Sequence, residues 1–428
     1  MTEGFEPPVG DPPVPPHLPE PPRRATVAFI FVTILIDVLA MGLIIPVLPP
    51  LVQRFAGGDT ARAAEWIGIF GTAWSLMQFI CSPILGSLSD HFGRRPVILA
   101  ANFGLGLDFI LMALAPSISW LFAGRIISGI TGASFTTAWA YIADVTPPEK
   151  RAAGFGVVGA AWGTGFIMGP ALGGLLGSIS PRLPFWIAAA LALANVCYGY
   201  FVLPESLPPA KRTAFSWRRA NPVGSLELLR RHRELLGLAS VFFLYYFSLQ
   251  AMQNTLVLSS IHRYGWSERS VGLMLSSMGV AALVVQGLIV GRAVARFGER
   301  KAMLIGLTFG ILGEAAFGLA PTGLWFCAAI PILAMQGLTN PSIQGLMTRR
   351  VSEGEQGKLQ GANTSLMGLT GLIGPSVFSV TFAHFIRPHR GWTLPGASFL
   401  LASLVLVAAW IIAERVTRAP DASRAAAG

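Results

Sequence analysis

The chain has 428 residues, of which 53% are hydrophobic and 12% charged, with a formal net charge of +10. A soluble domain carries about a quarter charged residues, so this composition excludes a soluble enzyme, a nucleic-acid binder and a disulfide scaffold. The three cysteines, Cys81, Cys197 and Cys327, sit in apolar stretches and read as buried free thiols.

Residues 1–24 hold nine prolines and few large apolar side chains, which predicts a disordered tail. The tail lacks the apolar core of a signal peptide. From Ala25 onward, apolar runs alternate with short polar breaks. They predict membrane spans near 26–52, 66–88, 96–115, 119–142, 152–177 and 184–203, then 235–261, 269–291, 302–320, 324–347, 357–384 and 393–413. The basic segment 204–234, with Lys211, Arg212, Arg218, Arg219, Arg230, Arg231 and Arg233, is too polar to span. It divides a six-helix bundle at 25–203 from a second at 235–414, and 415–428 forms a short tail. With both termini on one side, that side collects 23 of the 31 Lys and Arg residues. The positive-inside rule then places the termini and the linker in the cytoplasm of a multi-pass plasma (inner) membrane protein. Anionic lipid headgroups, not nucleic acid, are the expected counter-charge.

The two bundles repeat one another. Gly86 and Gly93 in GSLSDHFGRR recur as Gly291 and Gly298 in GRAVARFGER, Ala115-Pro116 as Ala320-Pro321, and Gly169-Pro170 as Gly374-Pro375, each 205 residues later. Three landmarks at one offset indicate a duplicated six-helix unit.

Four titratable residues lie inside apolar spans: Asp37, Asp108, Arg125 and Glu314. An ionised group at mid-bilayer costs several kcal/mol, so these are expected to face an internal aqueous cavity and to be paired or protonated. Burial disfavours an ionised carboxyl and a nearby guanidinium favours it, so one that alternates between those settings loads and releases a proton. Asp37 and Asp108 read as proton-coupling acids with Arg125 as a fixed positive charge; a static ion pair is the bland alternative. Glu314 is a third acid or a cavity-wall residue. No histidine is central, which argues against a histidine relay.

Gly86, Asp90, Gly93, Arg94 and Arg95 join spans 2 and 3. Their spacing suits a tight turn and a charge latch to acids such as Asp144, where plain positive-inside anchoring would need neither Asp90 nor both glycines. The repeat has Ala295 at the Asp90 position, so a second latch is expected to be partial. In span 5, Gly165, Gly169, Gly173 and Gly177 share one helix face beside Pro170; this reads as close packing or as a bending, leak-resistant seam. Gln78, Gln250, Gln253, Asn254 and Gln286 either meet substrate or hydrogen-bond neighbouring helices. Trp74, Phe79 and Trp139 are candidates for an aromatic cavity wall.

These residues resemble the tetracycline–proton antiporters of the major facilitator superfamily. The resemblance is dense over 25–205, in IDVLAMGLIIPVLPPLV, SDHFGRRPV, LDFILMALAP and MGPALGGLLG, and returns in GRAVARFGERKAMLIG and GKLQGANTSLMGLTGLIGP. It implies that Asp37 and Asp108 match acids that handle substrate and proton. It also implies that Arg125 matches the span-4 arginine, Asp90 and Arg94 the gating loop, and Gln78 and Gln286 polar residues of the drug site. Two positions depart from that pattern: Ala282 replaces a span-8 histidine, and Gly310 replaces a span-9 acid for which Glu314, one turn later, is a candidate substitute.

The expected fold class is all-α and polytopic, with twelve transmembrane helices in two six-helix pseudo-repeat halves. The expected function is proton-coupled export of a drug-like amphiphile by alternating access, with no enzyme activity, no metal site and no cofactor. A divalent cation would accompany the substrate if it is tetracycline. An uptake symporter, and a receptor or scaffold that transports nothing, are the alternatives. A GxxxxGK[ST] element, which would indicate direct ATP drive, is absent from the sequence.

Overall fold

A computed structural model describes residues 23–132, 135–145, 151–215, 233–352, 355–387 and 393–418. The Pro-rich tail, Arg218, Arg219, Arg230 and Arg231 of the linker, and the last ten residues lie outside that set. Among the described residues the structure is helical and contains no strand.

Span 1 is Arg23–Ile44, resumed after a turn by Leu48–Phe55. Spans 2 and 3 are Thr60–Phe92 and Arg94–Leu114. Span 4 consists of Ile118–Gly132 and Phe135–Val145, span 5 is Arg151–Ile179 and span 6 is Leu183–Val202. In the second half, span 7 is Arg233–Tyr264. Span 8 starts as Glu268–Val284 and passes through a π-helical turn, Val285–Ile289, into the helical run Val290–Leu319, which also contains span 9. Span 10 is assembled from short pieces, Gly323–Ala328, Ile330–Ala334, Met335–Leu338 and Thr339–Thr348. Spans 11 and 12 are Gln356–Ile386 and Ala397–Thr417.

Nine helical runs among the described residues are long and apolar enough to cross a membrane. One of them, Glu268–Leu319, has 52 residues; at 1.5 Å per residue it would reach roughly 78 Å, more than twice a bilayer core. Gly298 breaks it with φ 77° and ψ 161°. Gly93 turns the chain between spans 2 and 3 in nearly the same way, with φ 106° and ψ 160°. A side chain disfavours this region, so the repeated glycines mark the same corner in each half. With that division, and with spans 4 and 5 added, the predicted twelve are accounted for.

Small residues set the close approaches. In the first half, spans 1 and 5 run parallel: a methyl built on Gly165 would lie 2.9 Å from Val38 Cβ, and one on Gly169 would lie 2.6 Å from Gly42 Cα. Gly173 presses on the Leu43 carbonyl. Spans 3 and 6 cross through Gly106 on Leu193 and Gly199 on Leu99. Large apolar side chains such as Phe103, Leu107, Phe201, Leu324 and Leu404 remain on the outside, where lipid is the matching solvent.

The halves meet along spans 2 and 11 and along spans 5 and 8. Gly68 and Gly71 pack on Pro375, Thr72 and Ser376 hydroxyls lie 2.9 Å apart, and Gly371 packs on Ser75. On the other flank Gly174 packs on Gly272, Gly279 on Ile167, and the Ser276 hydroxyl donates to the Ile167 carbonyl at 2.6 Å. Pro83, Pro170 and Pro375 fall inside spans 2, 5 and 11, where each removes a helix hydrogen bond and permits a bend.

These contacts concentrate toward the end of the bundle that holds residues 45–59 and 393–396. Two ion pairs clasp it across the halves: Arg54 to Glu268 at 3.5 Å and Arg387 to Glu65 at 2.5 Å. Toward the end that carries the described part of the linker and the chain ends, the same four helices diverge. Among the described residues no atom lies within 4 Å of a methyl built on Gly86, Gly156, Gly159, Gly287, Gly291 or Gly357. The last close contacts before the opening are Phe79 on Gly368 and Leu283 on Gly163. Among the described residues the bundle is therefore closed at one end and open at the basic end.

The cysteines are free, but the expectation that they are buried is corrected: Cys197 is exposed on span 6, and Cys81 and Cys327 are half-buried. Apolar sequence context marks a lipid-facing position as readily as a core one.

Candidate proton and substrate sites

The three mid-span acids are enclosed within their own halves, and Arg125 is half-buried. Asp37 is 8% exposed, and Asp108 and Glu314 are 0% exposed. The expectation that the mid-span charges face an internal aqueous cavity is not met by these three acids in this conformation. They point into helix interfaces, where the cost of burying a polar group is met, if at all, by neighbours.

Asp37 sits where span 1 meets spans 3 and 6. The Asn195 side-chain amide donates to Asp37 Oδ1 at 2.8 Å and to the Thr33 carbonyl at 3.1 Å. Asn102, also buried, reaches the carboxyl from span 3. Asp108 lies under Gly124 of span 4, where a methyl would come within 2.7 Å of its Oδ1. Neither Asp108 carboxyl oxygen has a hydrogen-bond partner among the described residues. Arg125 is the cation that acts on it, yet the guanidinium donates to Met112 Sδ at 3.3 Å. The bland alternative of a direct ion pair is thus not what the first half contains.

Glu314 likewise has two unpartnered carboxyl oxygens. One turn earlier, Gly310 packs on Gln336 of span 10, whose Nε2 is unpartnered, and Gly306 packs on Thr339, whose hydroxyl is unpartnered. Gly310 thus leaves room for the span-10 glutamine where an acid was expected from the resemblance.

The gating loop forms one polar cluster. Arg94 pairs with Asp90 at 2.5 Å and with Asp144 at 3.1 Å, and donates to Ser89 Oγ at 2.6 Å. Its backbone N–H donates to Glu205 at 2.9 Å, and Glu205 pairs with Arg212 at 3.8 Å. Ser206 donates to Asp144 at 3.2 Å. Arg95 turns away and donates to the Tyr200 carbonyl at 2.5 Å, so of these two arginines Arg94 is the one that bridges to Asp144. Gly86 faces open space and Gly93 makes the turn, which separates the two roles expected of them together. In the second half the cluster is more complete than Ala295 led one to expect, because its polarity is reversed. Glu299 and Arg349 stand 205 residues after Arg94 and Asp144 and pair at 3.0 Å. Arg300 pairs with Glu414 at 2.8 Å.

Of the polar candidates, Gln78 lies against Gly132 of span 4, and Gln250 packs on Gly374. Asn254 donates to the Gln250 carbonyl at 2.9 Å and to its Oε1 at 3.2 Å, and its Oδ1 faces Gly71 across the halves. Gln253 is exposed, as is Gln286, which lies in the π-helical turn of span 8; such turns recur at functional positions. Phe79 closes over Gly368, and Trp74 presents backbone to Gly129; the Trp139 side chain lies outside the described part. Sequence reasoning missed Asn195, Asn102, Glu205 and the chain Tyr246–Asn340–Gln344–Gln360. Lone amides in apolar spans 3 and 6 were the available signal for the first two.

The sequence profile of the Major Facilitator Superfamily matches residues 30–375 and 238–427. The chain is 36% identical over 371 residues to the Escherichia coli tetracycline resistance protein, class C, covering 86% of this chain and 93% of that protein. It is 32% identical over 403 residues to the Pasteurella multocida tetracycline resistance protein, class H, covering 92% and 98%. Among solved structures, the human organic anion transporter MFSD10 superposes with a TM-score of 0.69 at 25% identity, covering 92% of this chain and 100% of that one.

Proposed function

The chain belongs to the Major Facilitator Superfamily, and from that premise we propose that it exports a drug-like amphiphile of the tetracycline class in exchange for protons. The observation that carries the proposal is the set of buried carboxyls: Asp108 and Glu314 without hydrogen-bond partners among the described residues, and Asp37 held by neutral amides. A permanent charge in such places is costly; a group that accepts a proton there avoids that cost in one state of the cycle. Arg125 then serves as the fixed charge that draws the proton off Asp108 when the surroundings rearrange.

The excess of Lys and Arg at the open end supports a cytoplasmic position for it and for both termini, and on that reading the conformation is inward-open and ready to load. Substrate enters between the halves toward Gln78, Gln253, Asn254 and Gln286. The halves then rock, the Arg54–Glu268 and Glu65–Arg387 clasps part, and the Arg94 and Glu299 latches secure the opposite end. Because the acids lie inside the halves, proton and substrate influence each other through helix packing and not by contact. Tetracycline would travel with a divalent cation as part of the cargo.

Everted membrane vesicles provide the test. With the vesicle interior made acid, vesicles carrying the protein should accumulate labelled tetracycline above vesicles lacking it, and a protonophore should abolish the difference. Accumulation equal to the control would overturn the proposal.

A further inference from the structure

Asn195 has no role in the gating loop, the glycine seam or the opening, yet it makes the best-defined polar contact of any mid-span acid. Its amide nitrogen carries two hydrogens. One goes to the Thr33 carbonyl, which can only accept, so span 1 itself fixes which end of the amide faces it. The second hydrogen is thereby aimed at Asp37 Oδ1, 2.8 Å away. Asn195 is 1% exposed, so water does not compete for either bond.

Resting on the proton-coupled reading above, we propose that Asn195 is a positioning residue for Asp37: it holds the ionised carboxylate against span 6 and loosens its hold when the proton arrives. An N–H bond to a carboxylate is charge-assisted and one to a neutral carboxyl is not. Protonation therefore weakens one of the two bonds that Asn195 makes to span 1 while the bond to Thr33 remains. No charged side chain among the described residues acts on Asp37 from the packed spans 3, 4, 5 and 6; Asn195 and Asn102 are the groups that reach it. Tyr141 and Tyr198 share the apolar cluster of Ile34 and Val38, and the Tyr141 hydroxyl donates to the Pro204 carbonyl at 2.9 Å.

The next two residues of span 1 carry the change outward. Val38 and Leu39 rest on Gly165 and Gly169 of span 5, and span 5 meets span 8 of the other half through Gly174 and Gly272. A proton at Asp37 thus acts on the seating of span 1, and through one more helix on the contact that must slide when the halves rock.

The test uses the purified full-length protein in lipid nanodiscs, without substrate. pH-difference infrared spectra of the parent and of Asp37→Asn isolate the carboxyl band of Asp37. In Asn195→Leu the titration midpoint of that band should move ~1–2 pH units higher, a roughly 10–100-fold change in proton affinity for the loss of one charge-assisted bond. Asn195→Gln, which keeps the donor, should stay closer to the parent, and Asn195→Ala repeats the deletion if the leucine variant does not fold. Unmoved midpoints in Asn195→Leu and Asn195→Ala, or a glutamine variant displaced as far as the leucine one, would overturn the positioning role. Failure of the proton-coupled reading is seen separately, as undiminished gradient-driven accumulation in Asp37→Asn vesicles.

Discussion

Asp108 and Arg125 act on one another without touching, and that spacing separates a switch from a strut. A direct ion pair would lose stability when the acid is neutralised, because the arginine would be left buried and alone. Here Asp108→Asn removes a carboxyl that has no hydrogen bond among the described residues to lose, and Arg125 keeps its contact with Met112. The expected outcome is an unfolding temperature in detergent at or above that of the parent, with gradient-driven transport reduced at least ~10-fold, the scale on which a general acid–base group contributes. A marked fall in unfolding temperature would assign Asp108 to structure. Glycine positions give the opposite contrast. Gly169→Ala drives a methyl into Gly42 and the Leu39 carbonyl and should destabilise by ~1–3 kcal/mol, whereas Gly156→Ala meets open space and should cost little; thermal unfolding of both variants checks the difference. At this scale the sequence made the charges legible, because a carboxyl in an apolar run is rare. Their partners were not legible: Asn195 lies 158 residues from Asp37, and nothing local links the two.

Among the elements, spans 2, 5, 8 and 11 form the moving contact, and the ion pairs at their ends have testable weight. Glu65–Arg387 is partly exposed on both sides, so it contributes about 0.2–1 kcal/mol. Glu65→Gln should therefore raise the fraction of molecules open at the clasped end by only ~1.5–5-fold, read as increased labelling of a cysteine placed inside that end. A complete switch of state would show that other contacts depend on the pair. The reversed latch gives a sharper expectation. Glu299→Arg or Arg349→Glu alone places like charges together and should slow transport; the double exchange restores the pair and should recover most of the rate. Equal loss in the double variant would show that the latch depends on its polarity. Hydropathy predicted spans of this kind well, since an apolar run of ~20 residues has few other fates. It did not predict the π-helical turn at Gln286 or the broken span 10, because those follow from packing against particular neighbours. The reversed Glu299–Arg349 pair was hidden for a different reason: matching the repeat by identity overlooks a contact conserved with its charges exchanged.

For the molecule as a whole, the repeat at an offset of 205 residues carried most of the architecture. Gly93 and Gly298 confirm it as geometry, with the same backbone corner in each half. Which end stands open was not in the sequence, because the same helices pack in either conformation and composition cannot distinguish two arrangements that interconvert. The open glycines at the basic end supply a test of that motion. Gly159→Leu adds bulk where this conformation has space, so the protein should fold and bind, yet the end should fail to close and turnover should fall. Turnover equal to the parent would mean that this face of span 5 never meets the other half.

The central claim is that protons on carboxyls buried within the halves drive uphill movement of the substrate. Reconstituted liposomes measure it most directly, by comparing exchange of labelled tetracycline at equal pH with its accumulation under an imposed pH gradient. Asp37→Asn and Asp108→Asn should retain exchange and lose accumulation. Accumulation at the parent level in both variants would contradict the claim.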